Sequence, residues 1–142
     1  MLMKITIKGE PVAAPRPRFS RWGTYNTPKY TKYKTSIEEQ YRAEFNDEQL
    51  FDRGEPLRVE LHFYRGIQKS VSKKEHERRA NHEVRPAVKS DIDNYTKSIL
   101  DGLKKAWFDD GQIVELVAIK DYDENPRVEV KVSTINENEE DE

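Results

Sequence analysis

Near the N-terminus apolar and polar residues alternate, Met3, Ile5 and Ile7 against Lys4, Thr6 and Lys8, which predicts a strand with one buried face. Further on the period changes. Tyr33, Ile37, Tyr41 and Phe45 recur every four residues, and Thr27-Pro28 ahead of them suits a helix start, with Thr as N-cap and Pro at the first helical position. A helix near 29 to 45 is expected, its Tyr stripe turned toward the core. Leu57, Val59, Leu61 and Phe63 then alternate with Arg58, Glu60, His62 and Tyr64 in a second strand. Ile92, Tyr95, Ile99, Leu103 and Ala106 return at spacings of three and four, the pattern of an amphipathic helix. Ile113 to Ile119 reads as an apolar strand, and Val128, Val130 and Val132 alternate in a last one.

The segments between are polar. Gly9 to Gly23 reads as a loop dense in Pro and Arg, Asn46 to Glu55 as an acidic connection, and Asp121 to Pro126 as a turn-rich loop. Residues 66 to 89 look like an insertion. Within it Ser72-x-x-Glu75 predicts the cap of a short helix through Arg79 with no apolar face to bury, and Val84 to Lys89, restrained by Pro86, is expected to be extended. His76 and His82 lack ligand spacing and read as surface residues. The order strand, helix, strand, short helix, helix, strand, strand implies a two-layer α+β fold. Its sheet is mainly antiparallel or mixed, with helices packed on one face. Residues 1–135 are expected to form one domain, and the tail 136–142, nearly all acid from Glu137, to be disordered.

The charge balance refines this picture. The chain has 142 residues, 37% of them charged, and a net charge of −2. That average conceals two basic stretches. Residues 1 to 36 carry eight Lys and Arg against Glu10 alone, and residues 69 to 90 carry seven against three glutamates. In the first, Arg16, Arg18 and Arg21 interleave with Phe19 and Trp22, a composition suited to phosphate and base contact. Contacts to DNA are expected there, at Lys29 just beyond, and at Lys89. The absence of cysteine excludes disulfides and thiolate zinc sites. With no apolar run long enough to span a bilayer and no signal-peptide pattern, a soluble cytoplasmic protein is expected.

The chemistry concentrates at the two ends of the central helix, where paired aspartates stand: Asp91 with Asp93, and Asp109 with Asp110. Close carboxylates need protons or a cation to neutralise them, and converging carboxylates suit a hard divalent ion such as Mg²⁺. Side chains two apart converge if Asp91 is extended and Asp93 lies at or next to the helix start. Lys97, four residues on, shares the face of Asp93. A three-turn helix is roughly 15 to 18 Å long, so its two ends do not meet unless the chain folds back or another subunit supplies the second pair. Against this stands a purely structural alternative. Ser90-x-x-Asp93 also fits a capping box, and Asp109-Asp110-Gly111 an ordinary turn.

The run Asp91-x-Asp93-Asn94-x-x-Lys97, then Leu100-Asp101-x-Leu103, then Asp109-Asp110-x-Gln112-Ile113-Val114, resembles the RusA-type Holliday-junction resolvases. Gly9-Glu10-Pro11-Val12 with Arg16-Pro17-Arg18 is similar to the opening of the phage and bacillar branch of that family. The resemblance implies a homodimeric, Mg²⁺-dependent endonuclease (Mn²⁺ being a possible substitute) that nicks branched DNA symmetrically, in recombination and repair. It assigns metal binding to Asp91, Asp93 and Asp110 and a catalytic role to Lys97. Asn94 would orient a carboxylate, the role of Asp109 stays open, and Asp101 falls outside the site. Residues 67 to 85 have no counterpart in the resemblance. Two other functions remain in view: a DNA-binding module without catalysis, and a nuclease built on Glu129 and Lys131, which share one strand face as in restriction-endonuclease-like sites.

Overall fold

A computed structural model describes residues 1–15 and 27–135 in full, and between them the backbone of two three-residue strands. Arg16, Arg21 and the acidic tail 136–142 lie outside the described residues, and of Arg18 only the backbone is described. In chain order the elements are β1 (Leu2–Lys8), β2 (Arg18–Ser20), β3 (Gly23–Tyr25), α1 (Pro28–Phe45), β4 (Leu57–Arg65), α2 (Lys73–Ala80), α3 (Ile92–Gly102), β5 (Ile113–Tyr122) and β6 (Arg127–Thr134). The expected loop from Gly9 to Gly23 therefore contains strand β2, which pairs antiparallel with β3 just beyond it.

The fold is α+β. Its sheet runs β1-β6-β4-β5, with β1/β6 and β6/β4 antiparallel and β4/β5 parallel. A parallel neighbour requires a long crossover, and the segment from Gly66 to Gln112, with α2 and α3 inside it, supplies one. Alternation settles which face is covered. Met3, Ile5 and Ile7, Leu57 through Phe63 at every second position, and Val128, Val130 and Val132 are all buried against α1 and α3. The other sheet face is polar and laced by surface ion pairs such as Arg58–Glu115 at 3.0 Å.

Local chemistry sets the helices. Thr27 caps α1 by accepting the Tyr30 N–H, Pro28 opens it, and Asn46 closes it in the left-handed conformation, φ 55°. Tyr30, Tyr33, Ile37 and Tyr41 are its buried stripe. The short helix α2 starts at the expected Ser72 cap and buries no residue. The central helix ends earlier than its periodicity suggests, at Gly102, and Lys104–Ala106 continues as a single 3₁₀ turn. Leu103 and Ala106 stay fully buried because the tighter turn keeps them facing the sheet.

At Gly102 α3 packs directly against Ile37 of α1. A Cβ there would stand 2.6 Å from a branch carbon of the fully buried Ile37. Gly102→Ala is expected to force the helices apart at a cost of about 1–3 kcal/mol. Thermal unfolding should show a midpoint lowered by ~3–10 °C. An unchanged midpoint would mean that the helix pair yields freely at this contact.

Candidate active site

The approach to α3 determines what its first turn presents. Asp91 is the N-cap residue and is extended (φ −68°, ψ 143°), while its carbonyl accepts the Asn94 and Tyr95 N–H groups at 3.2 Å. Its carboxylate makes no capping hydrogen bond. Asp93 sits in the first helical turn, one position deeper than a cap neighbour, and bonds locally, one oxygen accepting the Asn94 N–H at 3.0 Å. Both aspartates and Lys97 are exposed, and among the described residues none of the three has an ion-pair partner within 4 Å. Ser90 does not cap the helix, so the Ser90-x-x-Asp93 box is not formed. The carboxylates stand at the positive end of a helix dipole without being consumed in capping.

The underside of the same turn is fixed firmly. Tyr95 and Ile99 are buried, the Thr96 hydroxyl donates to the Ile92 carbonyl at 2.8 Å, and the Ser98 hydroxyl donates to the Val12 carbonyl at 2.6 Å. The Ala14 N–H donates to the Asn94 carbonyl at 2.9 Å. Thus the segment leading into Arg16 is tethered to the first turn of α3. Lys29, exposed at the start of α1, adjoins Tyr30, whose hydroxyl donates to Asp101 near the other end of α3. That bond gives Asp101 a structural role.

Sequence reasoning passed over two cations that hold the segment into Asp91, which bends at 88–90 rather than running as the extended stretch expected for Val84 to Lys89. The Lys120 ammonium donates to the Val88 carbonyl at 2.7 Å and the Ser90 carbonyl at 2.8 Å, and Arg65 donates to the Lys89 carbonyl between them. Burial pushes the Lys120 ammonium below the usual lysine range, with Arg65 adding to the effect and Asp91 opposing it. The signal was present in the pattern. Lys120 falls in the same alternation phase as Leu116, Ala118 and Tyr122, where an apolar residue belongs.

The second aspartate pair is engaged elsewhere. Asp109 caps a 3₁₀ turn over Asp110–Gln112, accepting the Gly111 N–H at 3.0 Å, while Gln112 Oε1 accepts the Asp109 N–H at 2.9 Å. Asp110 accepts the Trp107 indole N–H at 2.8 Å and lies 3.9 Å from the Lys104 ammonium. The eleven residues of α3 put about 16 Å between its two ends. Accordingly, no group of three or more His, Asp or Glu residues is arranged to hold a metal ion among the described residues. Asp91 and Asp93 do fit a hard cation by donor chemistry. They offer uncommitted carboxylate oxygens, and Mg²⁺ commonly takes one or two carboxylates, keeps several waters and adds substrate phosphate.

Glu129 and Lys131 share the open sheet face as expected, but Glu129 pairs with Arg127 at 3.0 Å and Lys131 lies 3.8 Å from Glu60. No helix among the described residues is long and apolar enough to cross a membrane.

Residues 8–133 match the family described as Endodeoxyribonuclease RusA. A protein of Bacillus subtilis (strain 168), described as Uncharacterized protein YqaN, is 36% identical over 140 residues, covering 94% of this chain and 97% of its own length.

Proposed function

The chain belongs to the RusA endodeoxyribonuclease family, and on that footing we propose that it is a Mg²⁺-dependent homodimer that resolves four-way DNA junctions by paired symmetric nicks. One observation carries the assignment of its site. Asp91, Asp93 and Lys97 line up on the exposed side of a rigid helix start, and none is used by the fold around it. A bound Mg²⁺ would acidify a water and neutralise charge on the scissile phosphate. The protein's own residues supply the rest. Asp91 and Asp93 would hold the cation, Lys120 and Arg65 bond the carbonyls of Val88, Ser90 and Lys89 just before Asp91, and Lys97 would stabilise negative charge on the phosphate. Ala14 is tethered to Asn94, and Arg16, Arg18 and Arg21, which follow it in the sequence, are the residues proposed to contact DNA phosphates.

Assembly follows from two features. Strand β5 is an edge of the sheet and exposes Val114 (60%) and Leu116 (49%), an apolar edge that a second copy would cover. Asp110 lies in the turn beyond the far end of α3 and is engaged there by Trp107 and Lys104, and a second copy offers a route for the partner's Asp110 to approach Asp91 and Asp93. A two-fold dimer also places one site on each of two opposed strands, as symmetric resolution requires.

A supercoiled plasmid with an extruded cruciform tests this function. Two nicks made within one binding event yield linear plasmid without accumulation of nicked circle. Nicked circle alone would defeat paired resolution, and an intact plasmid bound at its cruciform would make the protein a binding module.

A further inference from the structure

The 66–90 segment is docked rather than loose, although α2 contributes no buried residue to the core. It is pinned along β5 and the turn after it. Lys120 holds its C-terminal end through the Val88 and Ser90 carbonyls. His82 Nδ1 meets Asp121 Oδ1 at 3.1 Å, the Arg79 guanidinium lies 4.6 Å over the Tyr122 ring, and His76 Nε2 meets Glu124 Oε1 at 2.7 Å. Asp121 is buried and also bonded to His62. Burial opposes its charge, yet the Tyr122 N–H and the two histidines outweigh burial and keep the carboxyl below the usual aspartate range. An ionised aspartate is thus available to anchor His82.

These contacts use only the inward side of the segment. Arg78 and Arg79 are paired with Glu75 at 2.8 and 2.9 Å. Lys69, Lys73 and Lys74 take part in none of these contacts: all three are exposed, and none has an ion-pair partner among the described residues. The nearest acids without such a partner are Glu77 and Glu83, which do not cancel three lysines. A short helix with nothing to bury, held in place by polar contacts, has its cationic outer face as the surface it presents. The anchor points advance from Lys120 to Glu124 as the segment recedes from Asp91. Glu124 already lies in the turn after β5, so α2 sits at the Tyr122 end of β5, past the Lys120 contact with the Asp91 approach.

We propose that the 66–90 segment is a docked arm whose Lys69, Lys73 and Lys74 grip backbone phosphates of a junction arm to one side of the cut. This contact rests on the nuclease assignment for its junction substrate, but the binding itself does not depend on cleavage. It is independent of base sequence, because ammonium groups on phosphates carry no sequence information.

The test uses the full chain and a fixed four-way junction in EDTA, so that no cutting is needed. Binding is measured across a salt series for the wild type, for the triple variant Lys69→Ala/Lys73→Ala/Lys74→Ala, and for the triple Lys→Arg variant. The alanine variant is expected to flatten the salt slope by about 2–3 and to weaken binding alike on junctions of different sequence. The arginine variant is expected to restore both, and all three proteins should share one melting temperature. Neutral methylphosphonate linkages walked along the junction arm should weaken the wild type at the contacted positions and leave the alanine variant unaffected. Equal slopes in wild type and alanine variant overturn the arm while leaving the nuclease assignment standing. A wild-type protein that binds no junction overturns both.

Discussion

Asp93→Asn lowers the single-turnover rate of junction cleavage by at least about 10³, and Asp91→Asn does the same, while junction binding is kept or tightens. The expectation follows from where the two carboxylates sit. Neither is needed by the fold: Asp91 makes no cap bond, and Asp93 bonds only the N–H of its neighbour Asn94. An asparagine keeps an oxygen for that bond but loses the charge that draws a hard cation. A thousandfold rate loss corresponds to about 4 kcal/mol of transition-state stabilisation, within the range a metal and its acidified water supply. Binding should hold or improve because one negative charge beside the DNA phosphates is gone. Ser90→Ala serves as the control and should cut normally, because Ser90 caps nothing. Cleavage by either aspartate variant at the wild-type rate would remove the metal site from this helix start.

Lys97→Ala is expected to lose about 10²–10³ in rate with no change in melting temperature. The side chain is exposed and unpaired among the described residues, so its removal breaks no packing and strands no buried partner. A cation one helical turn beyond Asp93 is instead placed to meet charge that grows on the phosphate, and the loss of one such donor typically costs that much. Lys97→Arg should recover part of the rate, because the charge is retained while the reach differs. A variant with normal turnover and a lowered melting point would make Lys97 a structural residue.

Most of the scaffold was legible from residue patterns because its elements obey simple periods. The Thr27-Pro28 start and the Tyr33-Ile37-Tyr41 stripe define α1, and strict alternation defines β1, β4 and β6. The end of α3 was not legible, since a spacing of three or four fits an α-helix and a following 3₁₀ turn equally, and Leu103 and Ala106 are buried either way. Strand order was also out of reach. Nothing local tells β5 to lie parallel to β4, because that depends on how the long crossover packs.

At the site, the extended Asp91 was legible from the geometry of side chains two apart. Asp93, expected at or next to the N-cap, stands two residues past it, because Asp91 occupies that position, and the alternative Ser90-x-x-Asp93 box is not formed. The second pair carried a clearer clue than it was given, since Asp109-x-x-Gln112 is itself a capping pattern, and the structure uses it as one. Lys120 and Arg65 act through backbone carbonyls 24 to 32 residues away in sequence, a relation no local pattern encodes.

The central claim is that metal held at Asp91 and Asp93 cuts a junction. Single-turnover cleavage of a fixed, end-labelled four-way junction, followed as Mg²⁺ is titrated from EDTA upward, tests it most directly. The wild type should bind the junction in EDTA without cutting it, then nick two opposed strands at symmetric positions as Mg²⁺ is added, leaving a duplex of the same sequence intact. Cutting that persists in EDTA, or binding that never leads to a nick at any Mg²⁺ concentration, would contradict it.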